Sequence, residues 1–413
     1  MKQIYFGIIF TALLATWSAT IAKAQVLTGL DNLVTQHFAP MKGKRVGLIT
    51  NQTGRTKDGR FGPDLFAHST AIRLVALFAP EHGLMGTRTA GVNSDTAERY
   101  DGVPVYSLYG STRKPTKKML KGIDALVFDI QDVGVRPYTF LSTMIDAMEA
   151  AAENHIAFYV LDRPDPLSGE RIEGNILDST LESFIGIIPI PYIHGMTLGE
   201  LAKMATAKGW FQNASKLTLT VLPMIGWTRA MYWNETGLTW VPSSPNVPHF
   251  ENAVGLAMLG ATGELSALSV GIGSDAPFLR IGSTLLPSSE IQRMADSAFS
   301  HSLELTPQDF IATTSAGTKT YHGVKIGFRN VKTIPSLYNG QFRMIEEMLA
   351  DTAFRTSFDA LNPRLSMTLE KVTGERAIFE TLKRCEDLDR VFSAWNRDDE
   401  TFRTEREPFL IYP

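Results

Sequence analysis

From residue 44 to residue 223, short apolar runs alternate with polar turns and with stretches of helical spacing. KRVGLIT (44–50), IRLVALF (72–78), DALVFDI (124–130), AFYVLD (157–162) and LTLTVLP (217–223) lack in–out alternation. Strands of that kind are apolar on both faces, as in a parallel sheet covered by helices on either side. Helical spacing fills the gaps. LSTMIDAMEAAAENH (141–155) puts Met144, Ile145, Met148 and Ala152 on one face, and LGELAKMATAKGW (198–210) does the same with Leu198, Leu201 and Met204. Thr197 and Glu200 stand at the spacing of a capping box. Repeated strand–helix units predict an α/β domain with right-handed crossovers.

The rhythm breaks at WVPSSPNVPHF (240–250), which is rich in Pro and Ser. The first domain is therefore expected to span 25–248. Beyond it, LSVGIG (268–273) and KIGFRN (325–330) read as strands. Segments 288–299, 339–351 and 376–395 read as helices. A smaller α+β domain over 249–413 follows.

The start of the chain has a different pattern. Lys2 precedes an apolar stretch from about Tyr5 to Trp17, and Ala22-Lys23-Ala24 precedes Gln25. That is the layout of a signal peptide over 1–24, and the apolar run is shorter than the ~18–20 residues of a membrane span. The mature protein is expected to be periplasmic or secreted, with no membrane anchor. Cys385 is the single cysteine among 413 residues, so no intrachain disulfide forms. It lies in a helical run and reads as a small buried side chain. A net charge of −3 carries no basic footprint for nucleic acid.

In an open parallel sheet the loops leaving the C-terminal strand ends share one rim, and ligands bind there. Each of the first four strands runs into a polar cluster: Asn51-Gln52, Glu81-His82, Asp129 to Tyr138, and Arg163. There is no G-x-G-x-x-G, no G-x-x-x-x-G-K-[ST], no H-E-x-x-H and no G-x-S-x-G. Carboxylates, amides, histidines and arginines remain. Glu81, in a tight loop before Gly83, is a candidate general acid or a helix-capping residue. His82 is a candidate tuner of Glu81 or an ordinary loop residue. Asp129 is either a buried acid bonded within the fold or a catalyst; Gln131 and Asp132 are better placed for contact. Arg136 and Arg163 each precede a proline and suit capture of a carboxylate, unless they are spent on ion pairs. His194 precedes a helix start, where an anion or hydroxyl could be met. Trp210, Trp227, Tyr232, Trp233 and Trp240 form a late aromatic cluster.

RVGLITNQTG, LFAPEHGLMG, PVYSLYG, DALVFDIQDVGVRPYTF, LDRPDPLSG, PYIHGMTLGELAKM and WVPSSPN, in this order, resemble the exo-β-N-acetylmuramidases of the NamZ type, formerly a family of unknown function. The resemblance runs from about residue 40 to the C-terminus. It implies a Rossmann-like catalytic domain with a smaller domain over the cleft. It also implies removal of N-acetylmuramic acid from the non-reducing ends of peptidoglycan fragments, with no cofactor and no metal. On this reading Glu81 is the general acid and Asp132 the second carboxylate, oriented by Asp129 and supported by His82 and Tyr138. Asn51, Gln52, Gln131, Ser244, Asn246 and Glu264 are expected to bind substrate, and Arg136, Arg163 and His194 to hold the lactyl carboxylate. The chain departs from the family pattern at Val92, Val270 and Ile272. Two other readings stay open. One is a metal-dependent hydrolase built on Asp129, Asp132, Glu81, His82 and His194, which a chelator would silence. The other is a muropeptide-binding paralogue without turnover.

Overall fold

The computed structural model describes residues 25–88, 98–265, 267–315 and 317–413. The expected signal peptide and Val92 lie outside the described residues. After a short helix α1 (Gly29–Thr35), the first domain forms β1 (Arg45–Thr50), α2 (Gly62–Ala67), β2 (Arg73–Ala79), β3 (Glu98–Tyr100), β4 (Val103–Ser107), β5 (Ala125–Asp129), α3 (Thr139–Glu153), β6 (Ala157–Leu161), α4 (Leu198–Lys208) and β7 (Leu219–Leu222). All five strands read from the apolar runs are present. β3 and β4 are additional, and their residues are mostly half-exposed, so no continuous apolar run announces them.

The sheet order is β3-β4-β2-β1-β5-β6-β7, parallel throughout except for the β3–β4 pair. Without the antiparallel edge strand β3, this is the doubly wound Rossmann order. The order reverses between β1 and β5, so the crevice for a ligand is expected at their C-terminal ends. β1 shows why both faces are apolar. Ile49 packs in one layer with Phe78, Phe128 and helix α3, while Val46 and Leu48 pack in the other with Leu77, Val127 and Leu161. Helix α4 starts at the expected capping box, with the Thr197 hydroxyl and the Glu200 carboxylate each bonded to the other's backbone N–H, and it ends at Gly209 with φ 71°.

The second domain comprises α5 (Phe250–Leu259), β8 (Leu268–Ser269), β9 (Arg280–Ser283), α6 (Ser288–Ala298), β10 (Leu303–Pro307), β11 (Phe310–Thr314), β12 (Gly317–Phe328), α7 (Asn339–Met348), α8 (Thr352–Asp359), α9 (Pro363–Thr373), α10 (Ala377–Arg384) and α11 (Asp389–Arg406). Its strands pair antiparallel, in the order β10-β12-β9-β8 with β11 on β12. Two expectations need correction. LSVGIG gives only a two-residue strand, because Gly271 (φ 80°) and Gly273 (φ 83°) turn the chain; Val270 and Ile272 pack on the second core. The 376–395 run is two helices, broken at Cys385, which takes a left-handed C-cap conformation (φ 51°) and is exposed rather than buried.

The chain's end returns to the first domain. Tyr412 donates to Asp162 at 2.5 Å and packs edge-on against Trp227. Arg136 is a second tie. Its guanidinium, 1 % exposed, donates to the carbonyls of Asn175 (2.8 Å), Ile190 (2.7 Å) and Thr373 (2.6 Å), the last at the end of α9. It is therefore spent on the backbone and is not offered to a ligand carboxylate.

Arg136→Met keeps the side-chain volume and strands those buried carbonyls. Unfolding in urea should show a loss of about 3 kcal/mol or more, with little change in saccharide affinity. Unchanged stability with weakened binding would return Arg136 to the ligand.

Candidate active site

The tips of β1, β5 and β6 are laced together by side chains. Beyond β1, the Asn51 carboxamide oxygen accepts from the N–H (2.9 Å) and hydroxyl (2.6 Å) of Thr53. The Thr53 hydroxyl in turn accepts the N–H of Gln131 at 2.9 Å, joining β1 to β5. The Gln131 amide donates to the carbonyls of Asp132 and Pro164, both at 2.8 Å, joining β5 to β6. Arg163 closes the circuit. Its Nε donates to Asp129 Oδ1 at 2.6 Å and its Nη2 to the Arg55 carbonyl at 3.0 Å. Asp129 thus turns out to be a fully buried acid bonded within the fold. Burial pushes its pKa up and the Arg163 charge opposes that.

A second group lies behind Gln131. Asp132 accepts the Gly134 N–H at 3.0 Å through Oδ2. His194 Nε2 is 3.9 Å from that oxygen, and His194 Nδ1 is 3.7 Å from Asp165 Oδ2. The Met196 N–H donates to Nδ1 at 3.2 Å, which leaves the ring proton on Nε2. Burial pushes Asp132 up to about 7 and Asp165 well above the carboxylate range. Burial, with Arg406 and Arg136, pushes His194 down to about 3. A neutral imidazole cannot pair with an anion by charge, so the expected grip of His194 on a carboxylate is replaced by contact with two acids.

The third group faces outward. Glu81 follows β2 and is half-buried; Thr139, the first residue of α3, donates its hydroxyl to Glu81 Oε2 at 2.8 Å. The Tyr109 hydroxyl, beyond β4, also bonds to Glu81, and burial with that carboxylate raises it to about 12. Glu81 thus meets the next helix, α3, through the hydroxyl of its first residue, and no hydrogen bond from a backbone N–H of α3 to Glu81 is present among the described residues. His82 sits at φ 70° with Nδ1 2.8 Å from the Arg88 carbonyl. Tyr138 donates to Ser243 Oγ at 2.8 Å and contacts Ser244; burial raises its pKa, and the charges of Asp132 and Glu81 add to the rise. Gln52 donates to the Pro242 carbonyl at 2.7 Å, which lays the 240–245 segment across the strand tips. Gly86 lets that loop approach, since a Cβ there would sit 2.1 Å from the Gln52 amide. Asn246, just after the 240–245 segment, is half-buried. Glu264 belongs to a one-turn helix of the second domain; burial raises its pKa, and no hydrogen bond joins it to the rim among the described residues.

Buried polar atoms are normally paired. Here Asn51 Nδ2, Gln52 Oε1, Asp129 Oδ2, Gln131 Oε1, Asp132 Oδ1, Asp165 Oδ2 and His194 Nε2 have no hydrogen-bond partner among the described residues. Those of Asn51, Gln52, Asp129 and Gln131 lie at the strand tips, and those of Asp132, Asp165 and His194 in the buried group behind Gln131. A cavity of about 240 Å³ opens beside the tips, lined by Thr53, Arg55, Lys57, Gln131, Arg163 and Trp233 among others. Sequence reasoning did not single out Thr139, Tyr109, Asp165 or Ser243. Thr139 and Asp165 lie in strand-end motifs, Ser243 in the Pro- and Ser-rich break at 240–250, and Tyr109 in PVYSLYG, whose strand has no continuous apolar run. Among the described residues, no group of three or more His, Cys, Asp or Glu is placed to hold a metal ion.

A Rossmann-ordered sheet without a glycine-rich phosphate loop lacks the fingerprint of a dehydrogenase and presents acids at its strand tips instead. The family is specific. A model described as "Exo-beta-N-acetylmuramidase NamZ, N-terminal" matches residues 46–251, and its C-terminal counterpart matches 254–412. The chain belongs to this family. It is 37% identical over 411 residues to the peptidoglycan beta-N-acetylmuramidase NamZ of Bacillus subtilis (strain 168), covering 95% of this chain and 93% of that protein. Two crystal structures of DUF1343 family proteins from Bacteroides fragilis NCTC 9343 share the fold. One has a TM-score of 0.86 at 36% identity and the other 0.75 at 26%; each match covers 94% of this chain and 99% of the other.

A carboxyl whose pKa rises on folding holds its proton more tightly in the native state. For Asp132 that contribution is complete below its ordinary 3.8 and is lost as the pH climbs through about 7. Thermal melts should show the wild type losing stability between pH 5 and pH 8, and Asp132→Asn losing less. Parallel profiles for the two proteins would contradict the assignment.

Proposed function

We propose that the protein is an exo-acting glycosidase that releases N-acetylmuramic acid from the non-reducing ends of peptidoglycan fragments during cell-wall turnover. The observation that carries this reading is the nearly full-length likeness to a peptidoglycan beta-N-acetylmuramidase. The geometry supports it. Among the rim acids Glu81, Asp129, Asp132 and Asp165, Glu81 alone is half-exposed. It is the carboxyl proposed to protonate the glycosidic oxygen.

Asp132 is the second carboxyl. Its burial holds the proton near neutral pH, which suits an acid–base group more than a permanently ionised nucleophile. Tyr138 lies within the electrostatic reach of both acids, its hydroxyl bonded to Ser243. Asn51, Gln52, Gln131, Ser244 and Asn246 supply amide and hydroxyl groups for the sugar hydroxyls and the N-acetyl group. Arg55 and Lys57 supply cations for the lactyl carboxylate at the 240 Å³ cavity, whose wall also carries Asp58 and the Asp129-paired Arg163. Asp129 fixes Arg163 in place. The signal-peptide pattern of 1–24 supports a periplasmic or secreted site of action, where peptidoglycan lies.

Hydrolysis of a chromogenic β-N-acetylmuraminide tests the assignment. Glu81→Gln should keep the fold and lower kcat by roughly 10²- to 10⁴-fold. A kcat near that of the wild type would remove Glu81 from the chemistry.

A further inference from the structure

A recess lies away from the strand tips. It encloses about 550 Å³ between the loop after β6, the segment before α7, and helix α11, a volume in the range of small-molecule sites. None of its lining residues is a rim group.

Most charges in its wall are already matched. Glu173 accepts from Arg171 through one oxygen, and from the Ser336 hydroxyl (2.8 Å) and the Tyr338 N–H (3.0 Å) through the other. Arg171 also donates to the Tyr232 hydroxyl at 2.8 Å. Lys332 pairs with Glu235 at 2.8 Å, and Arg403 lies 3.6 Å from Glu400 at the exposed side. Glu170 offers its carbonyl to Arg403 at 3.3 Å. The Glu170 carboxylate is exposed and Asp399 is the buried acid without a match. It stands on α11 one turn after Trp395, is 8 % exposed, and makes no hydrogen bond or ion pair among the described residues; its Oδ1 is buried without a partner. A lone carboxyl in such a wall is costly unless a cation or a proton reaches it.

We propose that this recess is a second ligand site, which takes a primary ammonium group on an amino acid or peptide and seats it on Asp399. Lys332 and Arg403 at the same wall offer charge to a carboxylate carried by the same ligand. The Trp395 ring, whose N–H is bonded to Glu375 at 2.9 Å, flanks the ligand's aliphatic part. The ammonium has two possible sources: a free diamino acid, or the amine of a peptide stem on a muropeptide.

Proton linkage gives the seat a signature. Burial, with Glu173, Asp398 and Glu400, pushes Asp399 up to about 8, against the pull of Arg403. An arriving ammonium must ionise it and release its proton.

Titration calorimetry of the full protein in buffers of different ionisation enthalpy reads this directly, with L-lysine, hexanoate and a muramyl peptide carrying lysine as probes. Lysine or the lysine-bearing peptide should bind saturably, releasing most of one proton at pH 7 and little at pH 9; hexanoate should not bind. Binding by free lysine assigns the site to the amino acid, and binding by the peptide alone assigns it to the stem. Asp399→Asn should weaken the amine about tenfold or more and leave hydrolysis of the stem-free chromogenic substrate unchanged. No amine binding, binding without proton release in the wild type, or equal affinity in the variant overturns the proposal. Because proton release is measured on the wild type, the proposal can fail even if the variant does not fold. Loss of amine binding with hydrolysis intact refutes this site alone, whereas inactivity of the wild type on muraminides refutes only the glycosidase reading.

Discussion

The pair formed by Asp129 and Arg163 is the constraint on which the rim depends. The two are 2.6 Å apart, and both are withdrawn from solvent. Desolvating two charges costs several kcal/mol per ion, and only close geometry with further hydrogen bonds offsets it. The further bond is that of Arg163 to the carbonyl of Arg55, beyond β1. One guanidinium thus fixes the tips of three adjacent strands at the point where the sheet order reverses. The sheet itself cannot do this, because its ladder stops at Thr50, Asp129 and Leu161.

Around that pair the polar groups divide into two layers. In the inner layer of Asp132, His194 and Asp165, burial disfavours charge, raising both acids and lowering the imidazole. The outer layer of Glu81, Thr139, Tyr109 and Tyr138 reaches solvent. A floor of acids with raised pKa beneath an accessible acid is a workable arrangement for cleaving a glycosidic bond, where a proton must be given at one stage and recovered at another.

The sheet was legible because its strands are apolar on both faces, and a doubly covered sheet demands that. β3 and β4 were not, because an edge lying partly in solvent needs no such run. The site was legible in outline, since strand-end clusters far apart in sequence must converge. Its details were less so. Arg136 and Arg163 share one local pattern, an Arg followed by proline soon after a strand. Only Arg163 stays at the rim. At Gly134 the chain takes φ 84°, Val135 bridges to Ile193, and Arg136 is carried into the wall between the domains. Nothing in the spacing announces that turn. Cys385 shows the same limit, because a left-handed C-cap interrupts a periodic run that would otherwise continue.

The account stands on one claim: a muramyl sugar binds at the β1–β5 switch, beside Gln131 and Asn51. The most direct measurement is a crystal structure of the Glu81→Gln protein with a disaccharide ending in N-acetylmuramic acid. The account predicts the sugar ring at that switch, with the substituted amide about 3 Å from the glycosidic oxygen, Gln131 or Asn51 bonded to the ring's polar groups, and the lactyl carboxylate toward Arg163. A ring seated elsewhere, with those side chains still unengaged, would contradict it.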